Sequence, residues 1–245
     1  MRSRVAIAVF DDVVYFVSGE PRILRGTLTS LLEISVGKLD RQTHWSKVWA
    51  KYRENEVSWF QETPSLSLEL IQRHTVDKNV RILDVGGGSS RLVDNLLTSG
   101  FVNVGVLDIA APALEAARTR LGDRASSVEW VVGDVTAYEP LRPWDVWHDR
   151  AVFHFLVNAG EQQSYVHSLR RSITPAGVVV IATFGPEGPK RCSGLDVKRR
   201  SPDTLGEVFG SDFVLLESHY EIHRTPDGKD QQYVYCVFRR DMKRD

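Results

Sequence analysis

The sequence predicts an α/β protein: a mostly parallel sheet of seven strands with helices on both faces, ending in a C-terminal hairpin that turns one strand antiparallel. Three observations carry that expectation. Short apolar runs alternate with helical stretches from residue 80 to residue 184. The first of these runs, Val80–Val85, ends in a Gly86-Gly87-Gly88 turn that leads into a helical pattern. Two long strand-like stretches, Phe213–His223 and Gln232–Arg239, flank Thr225-Pro226-Asp227-Gly228, a hairpin signal.

In chain order, residues 1–38 form an extension without an assigned role, in which Val5–Val17 reads as an extra strand or hairpin. Residues 39–75 read as a helical cap segment. Trp45, Val48, Trp49 and Tyr52 recur at helical spacing from His44 on, Glu54-Asn55-Glu56 interrupts them, and Thr63-Pro64-Ser65 starts a second helix through Leu66, Leu68, Leu70 and Ile71. Three tryptophans, Trp45, Trp49 and Trp59, crowd this segment; they cover one edge of the sheet or form a lid. The α/β domain spans 76–245. After Val80–Val85, Leu92, Val93, Leu96 and Leu97 mark one side of a helix. Val102–Leu107 is the second strand and Ala111–Leu121 its helix, stopped by Gly122. Val128–Val132 and Trp144–His148 are the next strands, followed by a helix over Glu161–Ile173. Pro175-Ala176-Gly177 turns the chain into Val178–Phe184. A polar loop, 185–200, precedes a short helix with Ser201 as cap and Pro202 in its first position.

The totals narrow the function classes. In 245 residues, 42% are apolar and 26% charged, and the formal net charge is −1. That balance offers no electrostatic footprint for nucleic acid or a membrane surface. No apolar run is long enough to cross a bilayer. Asp11 and Asp12 spoil the N-terminal run as a targeting signal. Cys192 and Cys236 have no metal-ligand spacing and read as reduced thiols of a cytoplasmic protein, with no metal expected.

The glycine turn is the first candidate site. Glycine permits a tight turn and close approach of a ligand to backbone, and the helix start beyond it presents free N–H groups. In an open α/β sheet, ligands sit outside the carboxyl ends of the strands. Asp84, Asp108, Asp134 and Asp149 all stand at or just past such ends. Asp108 lies about twenty residues beyond the glycines, the spacing that brings a neighbouring carboxylate to ribose hydroxyls. Arg91 occupies the position where a dinucleotide fingerprint needs a small residue, which argues against NAD or FAD, and no ATP phosphate-loop motif is present.

Asp84-Val85-Gly86-Gly87-Gly88-Ser89-Ser90 resembles the first motif of the class I, Rossmann-like S-adenosylmethionine-dependent methyltransferases, with Ser90 in the place of a third glycine. Val106-Leu107-Asp108-Ile109, Val132-Gly133-Asp134-Val135, Asp145–Arg150 and Pro175-Ala176-Gly177 resemble the later motifs, and the terminal hairpin matches as well, over about residues 42–240. The resemblance implies S-adenosylmethionine as cofactor. It places Gly86, Gly87 and Gly88 under the methionine part, with Asp84 beside them. Asp108 falls on the ribose, Ile109 on the adenine face, Asp134 with Val135 on the adenine amino group, Asp149 at the methionine end or the acceptor, and Trp59 in a segment that closes over the cofactor.

Methyl transfer needs a base only if the nucleophile arrives protonated. His154 and Asp149 are the candidate catalytic groups, the alternative for His154 being a histidine satisfied within the fold. The expected acceptor is a small-molecule thiol, amine or carboxylate. Asp149-Arg150-Ala151-Val152 also resembles, loosely, a motif of protein lysine methyltransferases, which keeps a protein acceptor open; a silent cofactor-binding protein is the third reading. Lys190-Arg191 and Lys198-Arg199-Arg200 flank the 185–200 loop, as a solvated basic loop or as a surface for an acidic substrate or partner.

Overall fold

A computed structural model of the chain describes residues 6–10, 13–17 and 41–241. The N-terminal unit, Met1–Leu39, contributes two described strands, β1 (Ala6–Phe10) and β2 (Val13–Val17). They pair antiparallel from Ala6 opposite Val17 to Phe10 opposite Val13. The rest of the extension expected at 1–38 lies outside the described residues.

The second unit, Asp40–Asp245, is built on a seven-stranded sheet. Its strands are β3 (Arg81–Val85), β4 (Asn103–Asp108), β5 (Val128–Val132), β6 (Trp144–Arg150), β7 (Ile173–Phe184), β10 (Phe213–Arg224) and β11 (Asp230–Arg240), in the order β10-β11-β7-β6-β3-β4-β5. Pairing is parallel from β5 to β7; β11 is antiparallel to both β7 and β10. The order reverses at β3, so the crevice expected at a switch point lies beside the glycine turn.

Helices cover both faces. α2 (Ser65–His74), α3 (Leu92–Thr98) and α4 (Ala111–Leu121) bury Leu70, Ile71, Leu92, Leu96 and Leu114 on one. α5 (Ala159–Ser172) and α6 (Pro202–Phe209) bury Tyr165, Leu169, Leu205 and Phe209 on the other. Each such side chain taken out of water contributes roughly 1.5–3 kcal/mol. A helix over residues 41–51, α1, precedes them. Among the described residues no helix is long and apolar enough to cross a membrane.

Several boundaries differ from the sequence reading, and those of β6, β7 and α5 have a visible cause. β6 runs on through Asp149 to Arg150, because its neighbour β7 continues pairing as far as Ala182 opposite Arg150. β7 begins at Ile173, so Pro175-Ala176-Gly177 is not a turn into the strand but an irregularity within it. The register shifts there between Trp144 and Val146, and Ala176 has φ 61°. α5 starts at Ala159, two residues early, because Asn158 accepts from the Glu161 N–H at 2.8 Å and caps it. Within the expected 185–200 loop, β8 (Arg191–Cys192) and β9 (Leu195–Asp196) form a small antiparallel hairpin.

Candidate active site

Parallel pairing of β3 with β4 builds the first half of the site. Val85 lies beside Leu107, and the Gly86 N–H donates to the Leu107 carbonyl at 2.6 Å. The glycine turn thus begins level with the end of β4, where Asp108 stands. Gly86 and Gly88 have φ 66° and 45°, in the left-handed region that glycine enters without a Cβ penalty. A Cβ on Gly86 would come 1.9 Å from Val152 Cγ2, and one on Gly88 would come 2.9 Å from Asp108 Oδ2 and 3.5 Å from the Trp49 ring. Bare backbone is what lets a carboxylate and an indole close on the turn. Asp108 accepts from the Ala110 N–H at 2.8 Å. Burial pushes its carboxyl up to about 7, with the negative charge of Asp84 adding to the rise and backbone donors opposing it.

Asp134 follows β5. One oxygen accepts from the Thr136 N–H at 2.8 Å and caps the turn Val135–Ala137; the other faces the Arg41 guanidinium at 3.4 Å. Arg41 also pairs with Glu161. Asp108, Ile109, Asp134 and Val135 line one wall of a cavity whose space, mouth included, is about 850 Å³, within the range of small-molecule sites.

The opposite wall is aromatic. Trp45, Trp49, Trp59 and Phe155 line it. Trp45 meets Phe155 and Trp59 edge to face, with ring centroids 5.0 Å and 5.8 Å apart, and Trp49 meets Trp59 at 6.1 Å. The segment is clamped to the glycine turn by Arg91, the residue that excludes a dinucleotide fingerprint. Arg91 bonds Glu54 at 2.6 Å and Glu62 at 2.8 Å, and Arg120 also pairs with Glu54.

A smaller cavity continues past Gly86, lined by Asp84, Gly87, Ser89, Ser90 and Arg150, and shares Trp59 and Arg150 with the first. Asp84 Oδ1 bonds His148 Nδ1 at 2.7 Å, and His148 Nε2 bonds the Ser67 hydroxyl at 2.9 Å. Asp84 Oδ2 is buried and has no partner among the described residues. Arg150 donates from Nε to the Tyr235 hydroxyl and from Nη1 to the Trp59 carbonyl, both at 2.9 Å, while Nη2 is buried without a partner. One orphaned acceptor and one orphaned cationic donor in the same cavity suit an α-amino acid zwitterion.

Three expected residues line neither cavity: Gly88, which sits within the turn against Asp108, and Asp149 and His154. Asp149 belongs to β6, and strand alternation turns it to the face opposite Arg150. It is buried, accepting from the Val152 N–H at 2.9 Å and the Tyr165 hydroxyl at 2.7 Å. Burial raises its carboxyl to about 6 despite those donors. It therefore shapes the loop that carries Ala151 and Val152 into the cavity, with Ala151 held at φ 74°. His154 is packed between Phe155 and Phe184, at 4.4 Å and 4.6 Å between ring centroids, and its Nδ1 accepts from the Phe184 N–H at 3.3 Å. Burial, with the charge of Arg150 behind it, drops its pKa to about 3.

Conversely, Arg41, Arg150, Phe155 and Cys192 line the cavity without having been singled out as site residues from the sequence. Only Arg150 left a readable signal: a cation at the end of an apolar run, beside the acid of a recognised motif.

A glycine turn under an aromatic roof, flanked by carboxylates from the ends of two parallel strands, defines a nucleoside-cofactor protein of the doubly wound α/β type. Residues 83–179 match the methyltransferase domain family. The fold recurs in the structure described as "Conversion of a Disulfide Bond into a Thioacetal Group during Echinomycin Biosynthesis", at 18% identity and TM-score 0.65, over 83% of this chain and 94% of that one. It recurs in a SAM-dependent methyltransferase from Anabaena variabilis, at 15% identity and TM-score 0.64, over 81% and 94%. A third is the N-methyltransferase NodS from Bradyrhizobium japonicum with bound S-adenosyl-L-homocysteine, at 14% identity and TM-score 0.61, over 80% and 97%. Over residues 83–179 the chain is similar to the methyltransferase domain family, and its fold is shared with S-adenosylmethionine-dependent methyltransferases.

Proposed function

We propose that the protein methylates a small molecule bearing a thiol, amine or carboxylate, bound beneath the aromatic roof. The observation that carries this reading is the enclosure of the cavity: Trp45, Trp59 and Phe155 interlock over it, leaving an apolar chamber suited to a compact acceptor. The cofactor supplies a methyl group already activated on a sulfonium. In this reading Asp108 holds the ribose, Asp134 and Val135 the adenine edge, and Gly86–Gly88 the methionine chain. Asp84 Oδ2 and Arg150 Nη2 take the ammonium and carboxylate ends.

What remains for the protein is orientation and exclusion of water, which alone can remove much of the barrier. The rings of Trp45, Trp49 and Trp59 also favour a cation near their faces. Among the described residues His154 and Asp149 line neither cavity, His154 Nδ1 being held by the Phe184 N–H and Asp149 by the Tyr165 hydroxyl. The nucleophile therefore enters unprotonated or gives its proton to solvent.

A tritiated-methyl transfer screen over thiols, amines, carboxylates and extract proteins tests this. Label on small acceptors is the expected result. Label confined to lysines of extract proteins would replace it with the protein-acceptor reading, and cofactor binding without label on any acceptor would leave the silent one.

A further inference from the structure

The basic stretch between β7 and α6 borders an open groove separate from the cofactor cavity. Lys190, Lys198, Arg199 and Arg200 line it together with Ser201 and Thr204. Its one acid, Asp196, is paired with Arg191 at 3.2 Å.

Arg200 is what makes this more than a solvated basic surface. The residue is only 6% exposed. Its backbone N–H donates to the Phe184 carbonyl at 2.9 Å, and its guanidinium lies 5.6 Å from the Phe153 ring centroid. Nη1 makes one long contact, 3.4 Å, to the Thr204 carbonyl. Nε and Nη2 are buried and have no partner among the described residues. These two nitrogens point their N–H groups from the same edge of the guanidinium, the edge that grips two oxygens of one carboxylate or phosphate. The acid whose charge reaches it is Glu207 on α6, with no ion pair between the two among the described residues, and a buried guanidinium left so is costly to keep. α6 adds a partial positive charge, because its N-terminus, capped reciprocally by Ser201 and Thr204, opens on the same groove.

We propose that this groove is a second binding site, for a compact oxyanion of the phosphate or carboxylate class, gripped by the open edge of Arg200 and closed over by Lys190 and Lys198. Four cations against one paired acid, with Glu207 acting on Arg200 from α6, favour an anion. Burial draws the Arg200 pKa down, and an anion on its open edge would reverse that. The oxyanion is either the charged end of the methyl acceptor or a free anion. Position favours the first, since the β8–β9 hairpin and the residue before it place Lys190 and Asp196 on the groove and Cys192 in the cofactor cavity. The site itself does not depend on which acceptor is methylated.

Calorimetric titration of the full chain with inorganic phosphate tests it without any turnover. Saturable binding is expected, weakened about tenfold or more by Arg200→Gln, with affinity for S-adenosylhomocysteine unchanged in the same variant. If Arg200→Gln also loses affinity for S-adenosylhomocysteine, Lys198→Gln and Lys190→Gln take its place, each weakening phosphate by about threefold. Absence of saturable heat at phosphate on the order of 10 mM, or binding indifferent to all three changes, overturns the proposal. Pairs of acceptors differing only in a terminal phosphate ester separate the two sources. Preference for the phosphorylated member that Arg200→Gln abolishes assigns the groove to the acceptor; phosphate binding without such preference assigns it to a free anion.

Discussion

The two ends of the cofactor cavity are built by different rules. At the end proposed for the adenosyl group the parts are backbone and carboxylate: the turn that begins at Gly86, with Asp108 and Asp134 from the ends of consecutive parallel strands. Hydrogen-bonded register places them, so their positions follow from strand length and turn chemistry. At the methyl end the parts are rings and a guanidinium, from α1, residue 59, the loop after β6 and the β8–β9 hairpin. Side-chain packing across long sequence separations places these. The first end is rigid by pairing; the second is held by tryptophan contacts and by the Arg91–Glu54 clamp. Recognition of a constant cofactor belongs on the rigid end, and selection of the acceptor on the end that loops can reshape.

Breaking the rigid end gives the largest effects. Gly86→Ala adds a Cβ where φ is 66° and Val152 already fills the space. We expect it to lose about 2–4 kcal/mol of S-adenosylhomocysteine affinity, read by calorimetry, with circular dichroism reporting an intact fold. Asp108→Ala should lose about 1–3 kcal/mol through missing hydrogen bonds to ribose; an unchanged dissociation constant would remove Asp108 from the site.

Asp108 also fixes a pH dependence. Its carboxyl sits at about 7 in the folded protein, well above its ordinary value of 3.8. Folding therefore takes up a proton between those limits, and this group's contribution to stability declines as pH rises from about 4 to about 7. Ribose hydroxyls donate to the charged form, so cofactor binding runs the other way: affinity falls as pH drops below about 7, and binding at pH near 6 releases a proton. Titrations in buffers of different ionisation enthalpy measure that proton, and Asp108→Asn should abolish it.

The same contrast explains what the sequence could reveal. Strand, glycine turn and strand-end acid are local patterns with fixed spacing, so the mostly parallel sheet and the standing of Gly86, Asp108 and Asp134 at strand ends could be reasoned from the chain alone. Asp149 could not, because its orientation hangs on whether β6 stops at His148 or runs to Arg150. One extra pair of residues in register moves Asp149 from the strand end into the sheet and hands the cavity to Arg150. His154 resembled a base for being a histidine near a motif, while its surroundings, Phe155 from the same turn and Phe184 from β7, lie thirty residues apart and meet only through the fold. Cys192 enters the cavity through a hairpin whose two-residue strands carry no readable periodicity.

At the methyl end the effects should be smaller and divided. Arg150→Lys keeps the charge but cannot hold the Trp59 carbonyl, the Tyr235 hydroxyl and a cofactor carboxylate at once. We expect it to weaken S-adenosylhomocysteine by about 1–2 kcal/mol, and to leave decarboxylated S-adenosylmethionine nearly unaffected relative to the unchanged protein. Equal losses for both ligands would show that Arg150 supports the roof and does not meet the carboxylate.

The smallest effect is the one that sharpens the contrast most. A general base must gain and lose a proton near the working pH, and His154, at about 3, is neutral throughout the range in which the protein would work. Its Nδ1 accepts a backbone N–H, which is a scaffold's hydrogen bond. His154→Gln should therefore lower the melting temperature, since it disturbs a packed ring between Phe155 and Phe184, while the pH profile of methyl transfer keeps the same inflection. Asp108, nearly as buried, should behave in the opposite way: its substitution moves cofactor affinity and proton release. Two buried titratable groups are then told apart by which quantity each controls. A pH–rate inflection that shifts in His154→Gln would return the imidazole to the reaction, and with it the need for a path from the Phe155–Phe184 core to the acceptor.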